Sequence, residues 1–407
     1  MLNEQPPMES EEFAEVESGL YVSTHLGDVS LARVLWLQGR SILEGARPTS
    51  PSEALLAPLR KGLRLVRMLR ARKYASVKAS GLGGTMVAPS RTTRDQTGSI
   101  IQAPEVVMVA RDGSRREFYL RSGTVVTHLP EHKARPLVEA VLVRRQAVPP
   151  SLAPKVYEAS AAEGWYVEEY INGPHARSFH TSAAERRLVL FPILAELRSS
   201  SRPDEVDVRD YAARLLHAVS NWTPPGTTAG NAEDGDLLRE LRLFARQVSQ
   251  LLPDDRHVMV KLTLSHGDLT ARNVVFDERG PKLIDWGSVG MRSQWHDLLA
   301  VHFIGAYVDR YISGSGRTDH LWDHIRVDVL ALVSHISNTL GACVDNIAPE
   351  TSELRWIRHL FYLEVLALQV ETYGDLPVPQ RGTRRTLDIL VNWVRLFRYV
   401  EGHLCGE

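Results

Sequence analysis

The chain has 407 residues, 43% of them hydrophobic and 24% charged, the proportions of a globular protein long enough for two or three cores. A formal net charge of -1 gives no global field to draw in nucleic acid or an anionic membrane, and no run of about 18 apolar residues is present to span one. Two cysteines, Cys343 and Cys405, exclude a disulfide framework, and the first residues lack the basic and apolar regions of a signal peptide, so a cytoplasmic setting is expected.

Met1 to Asp28 carries seven acidic residues and no Lys or Arg, the pattern of a mobile or loosely docked arm. From Ala54 to Arg94 the sign reverses, with ten Lys or Arg and no acid. Within it, PLRKGLRLVRMLRARKY places Leu59, Leu63, Val66 and Leu69 or Leu65 at helical spacing, a basic amphipathic helix. EVVMVAR (Glu105 to Arg111), the turn residues Asp112-Gly113-Ser114 and REFYLRSG (Arg116 to Gly123) predict an antiparallel hairpin. A helix is expected over Ala134 to Gln146, and after a proline-punctuated stretch GWYVEEYI reads as a further strand ending at Asn172-Gly173-Pro174.

Beyond Pro174 helical periodicity dominates, in AAERRLVLFPILAEL, VRDYAARLLHAVSNW and LLRELRLFARQVSQLL, and again from Leu298 to about His403. The pattern is α+β: a small sheet with one helix, then a mostly helical region with a short β insertion. The expected division is an acidic extension over 1–52, a β-rich lobe over 53–168 and a helical lobe over 169–407. No pattern fixes an oligomeric state.

The insertion is SHGDLTARNVVFDERGPKLIDW, Ser265 to Trp286. Val274 to Phe276 predicts one short strand and Lys282 to Ile284 a second, so a tight hairpin brings Asn273 and Asp285 to the same end. Two oxygen ligands at a hairpin mouth suit Mg²⁺, which takes its remaining ligands from water and phosphate. Asp268, five residues before Asn273, stands where a base receiving a hydroxyl proton belongs. The plain alternative is a polar turn.

His266-Gly267-Asp268-Leu269, Asn273, Ile284-Asp285-Trp286 and Asp297 in QWHDLL together resemble the motifs of the aminoglycoside phosphotransferase and choline kinase family, relatives of the protein kinases. The resemblance implies a bilobal kinase-like fold with a small β-rich N-lobe and a larger helical C-lobe. It makes Asp268 the catalytic aspartate and Asn273 and Asp285 the Mg²⁺ ligands that hold the phosphates of ATP or GTP. His266 and Asp297 become bracing residues. WYVEEYING resembles the family's hinge, so the Glu169 carbonyl and Ile171 N–H are expected to pair with the purine edge.

Two features depart from the pattern. The phosphate-binding lysine expected in EFYLRSG is replaced by Arg121, longer and planar, with Glu139 in the next helix as its expected partner. SGLGGTM (Ser80 to Met86) lacks the full G-x-G-x-x-G spacing and reads equally as a plain turn, and no P-loop sequence is present. Pro130 between His128 and His132 breaks any helix that would aim both rings at a zinc ion.

The expected activity is transfer of a γ-phosphoryl group to a hydroxyl of a small molecule, such as an antibiotic, sugar or amino alcohol. The alternatives are a kinase acting on a macromolecule (protein, lipid-linked saccharide or RNA), suggested by the basic segment, and a catalytically weak nucleotide-binding regulator, suggested by Arg121.

Overall fold

The computed structural model describes residues 11–17, 20–23, 28–38, 58–69, 86–88, 93–94, 100–101, 104–109, 114–129, 145–176, 179, 182–200, 203–223, 232–254, 258–311, 321–340, 351–373 and 386–404. They fall into two compact units, the first drawn from Met1–Leu142, Pro150–Arg177 and Ala271–Ile284, the second from Val143–Pro149, Ser178–Thr270 and Asp285–Glu407. No described helix is long and apolar enough to cross a membrane.

The first unit is built on an eight-stranded sheet. Its strands are β1 (Glu11–Glu17), β2 (Leu20–Ser23), β3 (Met86–Ala88), β6 (Val106–Val109), β7 (Arg115–Tyr119), β8 (Thr124–His128), β9 (Val156–Ser160) and β10 (Trp165–Glu169), while β4 (Thr93–Arg94) and β5 (Ile100–Ile101) pair separately. The order is β3-β1-β2-β6-β7-β8-β10-β9, and every pairing is antiparallel. Helices α1 (Asp28–Gln38) and α2 (58–69) supply Leu31, Val34, Leu35, Leu65 and Met68 to one core with Val106, Leu120, Val125 and Tyr170. Tyr119, Val126 and Val167 form a second core with Tyr157 and Trp165. Val125 and Val126 thus serve different cores, which is why β8 is apolar at successive positions instead of alternating.

Three sequence expectations are corrected here. The acid-rich stretch read as a loosely docked arm contributes β1 and β2, because Phe13, Tyr21 and Val22 lie in strand-forming runs on either side of Ser18-Gly19. The strand read through Gly123 ends at Tyr119: Gly123 has φ 68, and Leu120 N–H donates to the buried Glu105 carboxylate at 2.8 Å, so the chain turns and β8 begins at Thr124. In α2 the inward stripe is Lys61, Leu65 and Met68, whereas Leu59, Leu63 and Val66 are exposed. The Lys61 ammonium lies 4.6 Å from the Trp36 ring centroid, a cation-π contact that turns this face toward α1. The helix expected over Ala134 to Gln146 lies outside the described residues except for its last two positions.

The first unit also contains the hairpin β13 (Val274–Asp277) and β14 (Gly280–Leu283). The segment after β10 runs beside it: Phe276 N–H donates to Pro174 O at 2.9 Å and Ala176 N–H to Val274 O at 2.8 Å. A Cβ on Gly173 would stand 1.7 Å from Phe276 O, so only glycine permits this approach. Leu283 N–H donates to Leu152 O, and the Lys282 ammonium to Pro150 O.

The second unit is mostly helical. A π-helical turn (Arg186–Leu190) leads into α3 (Phe191–Ser200), followed by α4 (Val208–Asn221), α5 (Ala232–Gln250), α6 (His296–Tyr311), α7 (Leu321–Leu340), α8 (Thr351–Tyr373) and α9 (Thr386–Leu404). Asp207 caps α4, its carboxylate accepting from Arg209 and Asp210 N–H. A three-stranded sheet in the order β11 (Asp204–Asp207), β12 (Met259–Ser265), β15 (Gly290–Ser293) carries the chain into the loop at His266. Its core is aromatic: Tyr362 and Phe397 stack at 4.0 Å, with Phe303 edge-on to both.

Two residues after β14, Asp285 has φ 66 and ψ 56, the sole non-glycine with positive φ among the described residues. The left-handed region costs an L-residue about 1–2 kcal/mol, less for Asp and Asn. Denaturant unfolding should therefore show Asp285→Gly within about 1 kcal/mol of wild type and Asp285→Val less stable by roughly 1–2 kcal/mol. Gly173→Ala should lose on the order of 1–3 kcal/mol by the same measurement, because backbone rather than a mobile side chain must move.

Candidate active site

In the second unit the loop after β12 is held by one carboxylate. Asp297, in the first turn of α6, accepts from Ser265 Oγ at 3.0 Å, His266 N–H at 2.9 Å and Gly267 N–H at 3.0 Å. Two consecutive backbone N–H groups on one carboxylate fix both peptide planes, and Asp268 follows immediately. Gly267 has φ 81, and a Cβ there would lie 2.4 Å from Ser288 O, so the loop passes close to the segment after Asp285. His266 is fully buried against Trp286, ring centroids 4.6 Å apart, and its Nδ1 accepts from Asp268 N–H at 3.3 Å. These contacts are the bracing expected of His266 and Asp297.

Arg198 lies under this loop. Its guanidinium sits over the Trp295 ring at 4.5 Å and donates to Gln294 O. Burial lowers its pKa to about 9 even though the Asp297 charge opposes the shift.

Asp268 opens onto a cavity of about 160 Å³ within the second unit. Gly267, Asp268, Ser288 and His296 make its polar end, Gln369 adds an amide, and Ala300, Ile304, Phe361, Val365, Leu368 and Trp393 make an apolar wall. Trp393 lines this cavity, stacked on Tyr307 at 4.7 Å, and Tyr362 is in the core.

Glu364 is buried next to the cavity-lining His296. Its carboxylate accepts from Tyr211 OH at 2.8 Å, Ser293 N–H at 2.6 Å, Ser293 Oγ at 2.8 Å and His296 Nδ1 at 3.0 Å. Burial pushes its pKa up, but the His296 hydrogen bond and charge and the Ser293 donors outweigh burial and leave it lowered. The same arrangement pushes Tyr211 up, through burial first and then the Glu364 charge. His296 Nε2 is buried and has no hydrogen-bond partner, a state that costs about 1–3 kcal/mol. Sequence reading passed over His296 because its role depends on Glu364, 68 residues away in the chain.

In the first unit Asn273 is buried at the start of β13, and its carbonyl accepts from Ile284 N–H at 2.9 Å. That bond joins the two ends of the hairpin, with Asp285 the next residue. An Asn amide and an Asp carboxylate each offer hard oxygen donors of the kind Mg²⁺ takes. Among the described residues no group of three or more His, Cys, Asp or Glu is arranged for a metal.

Glu169 ends β10, its N–H donating to Lys155 O and its carboxylate accepting from Lys155 N–H, and Ile171 is buried two residues on. Arg121 stands in the turn between β7 and β8, 60% exposed, its Nε 3.4 Å from Glu105. The third strand of the β6-β7-β8 meander, the one that carries the lysine in protein kinases, is β8, and it ends at His128. His128 faces Glu117, which Tyr119 OH and Arg115 also reach. Glu139, His132 and all of SGLGGTM except Met86 lie outside the described residues.

The chain resembles solved structures of a choline kinase from Streptococcus pneumoniae (15% identity, 82% of this chain and 99% of that one, TM-score 0.37) and an ethanolamine kinase from Plasmodium vivax (12%, 72% and 80%, 0.45). An aminoglycoside phosphotransferase from Streptomyces rimosus also matches (16%, 72% and 97%, 0.34). No curated protein sequence matches. The sequence model of the phosphotransferase enzyme family (APH) matches residues 103–327, more than half of the chain, which therefore belongs to that family and has its α+β, protein-kinase-like fold.

Proposed function

We propose that the protein transfers the γ-phosphoryl group of ATP or GTP, with Mg²⁺, to a hydroxyl of a small molecule. The observation that carries this reading is Asp268, fixed by the Asp297-held loop at the polar end of a cavity with an apolar wall. Asp268 orients the acceptor hydroxyl and takes its proton as the new O–P bond forms. Asn273 and Asp285 hold the metal, which when bound offsets charge on the phosphate oxygens. The Glu169 carbonyl and Ile171 N–H take the purine edge, and Arg121, with Glu139, meets the phosphates. In this reading 53–168 is the nucleotide lobe, and 169–407 carries the catalytic loop and the acceptor.

One observation favours a second reading, a kinase acting on a macromolecule: α2 exposes Leu59, Leu63 and Val66 beside Arg67. Removing 1–78 would also remove β1 and β2 from the sheet, so surface variants discriminate better. Activity of Leu63→Glu/Val66→Glu toward small alcohols should equal wild type if the first reading holds.

The direct test is ATP- and GTP-dependent phosphorylation of a panel of hydroxylated antibiotics, sugars and amino alcohols. Asp268→Asn should cut transfer about 10²–10⁴-fold while nucleotide binding, measured by calorimetry, is kept. Full transfer in that variant would remove Asp268 from the chemistry. Asp285→Ala should abolish Mg-dependent nucleotide use, and Arg121→Ala should raise the nucleotide KM more than it lowers kcat.

A further inference from the structure

The cavity beside Asp268 has both a size and a charge pattern. It holds about 160 Å³, below the roughly 300–1,000 Å³ of pockets that enclose drug-sized ligands, so it fits a compact molecule. Its wall is made by helix faces. Ala300 and Ile304 follow His296 at four-residue steps along α6, and Phe361, Val365 and Leu368 share one face of α8. Ala300, Phe361, Val365 and Leu368 are buried, so most of this wall is packed in place before any ligand arrives.

Among the described residues Asp268 is the sole carboxylate that lines the cavity. In the phosphotransferase reading it meets the reacting hydroxyl, so the rest of the acceptor lies against the wall. The other polar side chains there, Ser288, Gln369 and His296, are not anions, and the positive charge by which His296 helps lower Glu364 opposes a second cation. Trp393 already gives one face to Tyr307, stacked at 4.7 Å, so the wall offers van der Waals packing more than ring faces to hold a cation.

We propose that the acceptor is an uncharged alcohol with a compact apolar body, in place of a polyhydroxylated sugar or a cationic amino alcohol. This rests on the phosphotransferase reading above. The alcohol oxygen attacks the γ-phosphorus, the bond from that phosphorus to its bridging oxygen breaks, the nucleoside diphosphate leaves, and the hydroxyl proton passes to Asp268. The body packs against Ile304, Val365 and Leu368. An ammonium there would lose its hydration with no anion to replace it, whereas an alkyl group gains by leaving water.

The test uses pairs matched in shape that differ in charge: 3,3-dimethylbutan-1-ol against choline, and cyclohexylmethanol against piperidin-4-ylmethanol, which is protonated at neutral pH. With ATP and Mg²⁺ saturating, wild type should favour the neutral member by roughly tenfold or more in kcat/KM. Leu368→Glu, which puts a carboxylate in the wall, should bring that ratio to one or below. A second readout needs neither turnover nor a variant that folds well. Saturation-transfer NMR on wild type should show transfer from protein methyl groups to the tert-butyl protons of 3,3-dimethylbutan-1-ol and none to the trimethylammonium protons of choline.

A wild type that phosphorylates choline and piperidin-4-ylmethanol as well as or better than their neutral partners would overturn the inference and leave the phosphotransferase reading standing. A folded Leu368→Glu that keeps the wild-type ratio, or saturation transfer to choline equal to that of its neutral partner, would overturn it as well, as would neither product nor transfer with the neutral alcohols. Transfer to the neutral alcohols alone, without any phosphorylated product, would instead keep the apolar cavity and contradict the phosphotransferase reading.

Discussion

The second unit is organised around the carboxylate of Asp297. It accepts one hydroxyl and two successive backbone N–H groups from Ser265, His266 and Gly267, and so converts the end of a strand into a loop of fixed shape. The loop is doubly constrained, because the close approach of Gly267 to Ser288 leaves no space for a side chain. Buried hydrogen bonds to an ionised acceptor are stronger than neutral ones, and three of them on one aspartate make this loop costly to deform. Asp268 inherits its position from that restraint. In the proposed phosphoryl transfer Asp268 has to meet a hydroxyl within a fraction of an ångström, and such a support serves that more than any contact of its own.

A parallel logic governs the hairpin of the first unit. Gly173 lets the chain lie against Phe276, and the Asn273 carbonyl ties the hairpin ends together. Asp285, at the start of the next segment of the second unit, has a left-handed backbone. Strain at a residue of this kind is expected where a side chain is aimed for chemistry and stability is supplied elsewhere. The buried Glu364 represents a further case. Four donors saturate it, and its effect on the cavity is exerted through the orientation of His296.

What the sequence made legible follows from how local each feature is. His266, Asp268, Asn273, Asp285 and Asp297 lie within one short stretch, and their spacing carried the family, while periodicity carried the helical part of the fold. β8 was missed because it serves two cores, which removes the alternation that marks a half-buried strand, and Arg121 was read onto a strand that ends two residues earlier. The inward face of α2 was misread because a lysine lying on a tryptophan belongs to it, whereas hydrophobicity alone selects Leu59, Leu63 and Val66. His296 and Glu364 are brought together only by the packing of α8 beside the start of α6, a contact that no local pattern announces.

The central claim is that the Asp297-held loop sets the position of Asp268 for phosphoryl transfer. The most direct test is the single-turnover transfer rate of Asp297→Asn, with ATP, Mg²⁺ and acceptor all saturating. If the claim holds, the rate falls by about 10²-fold while nucleotide affinity stays at the wild-type value, because misplacement of the order of 1 Å carries that penalty. A folded variant that transfers phosphate at the wild-type rate would contradict it.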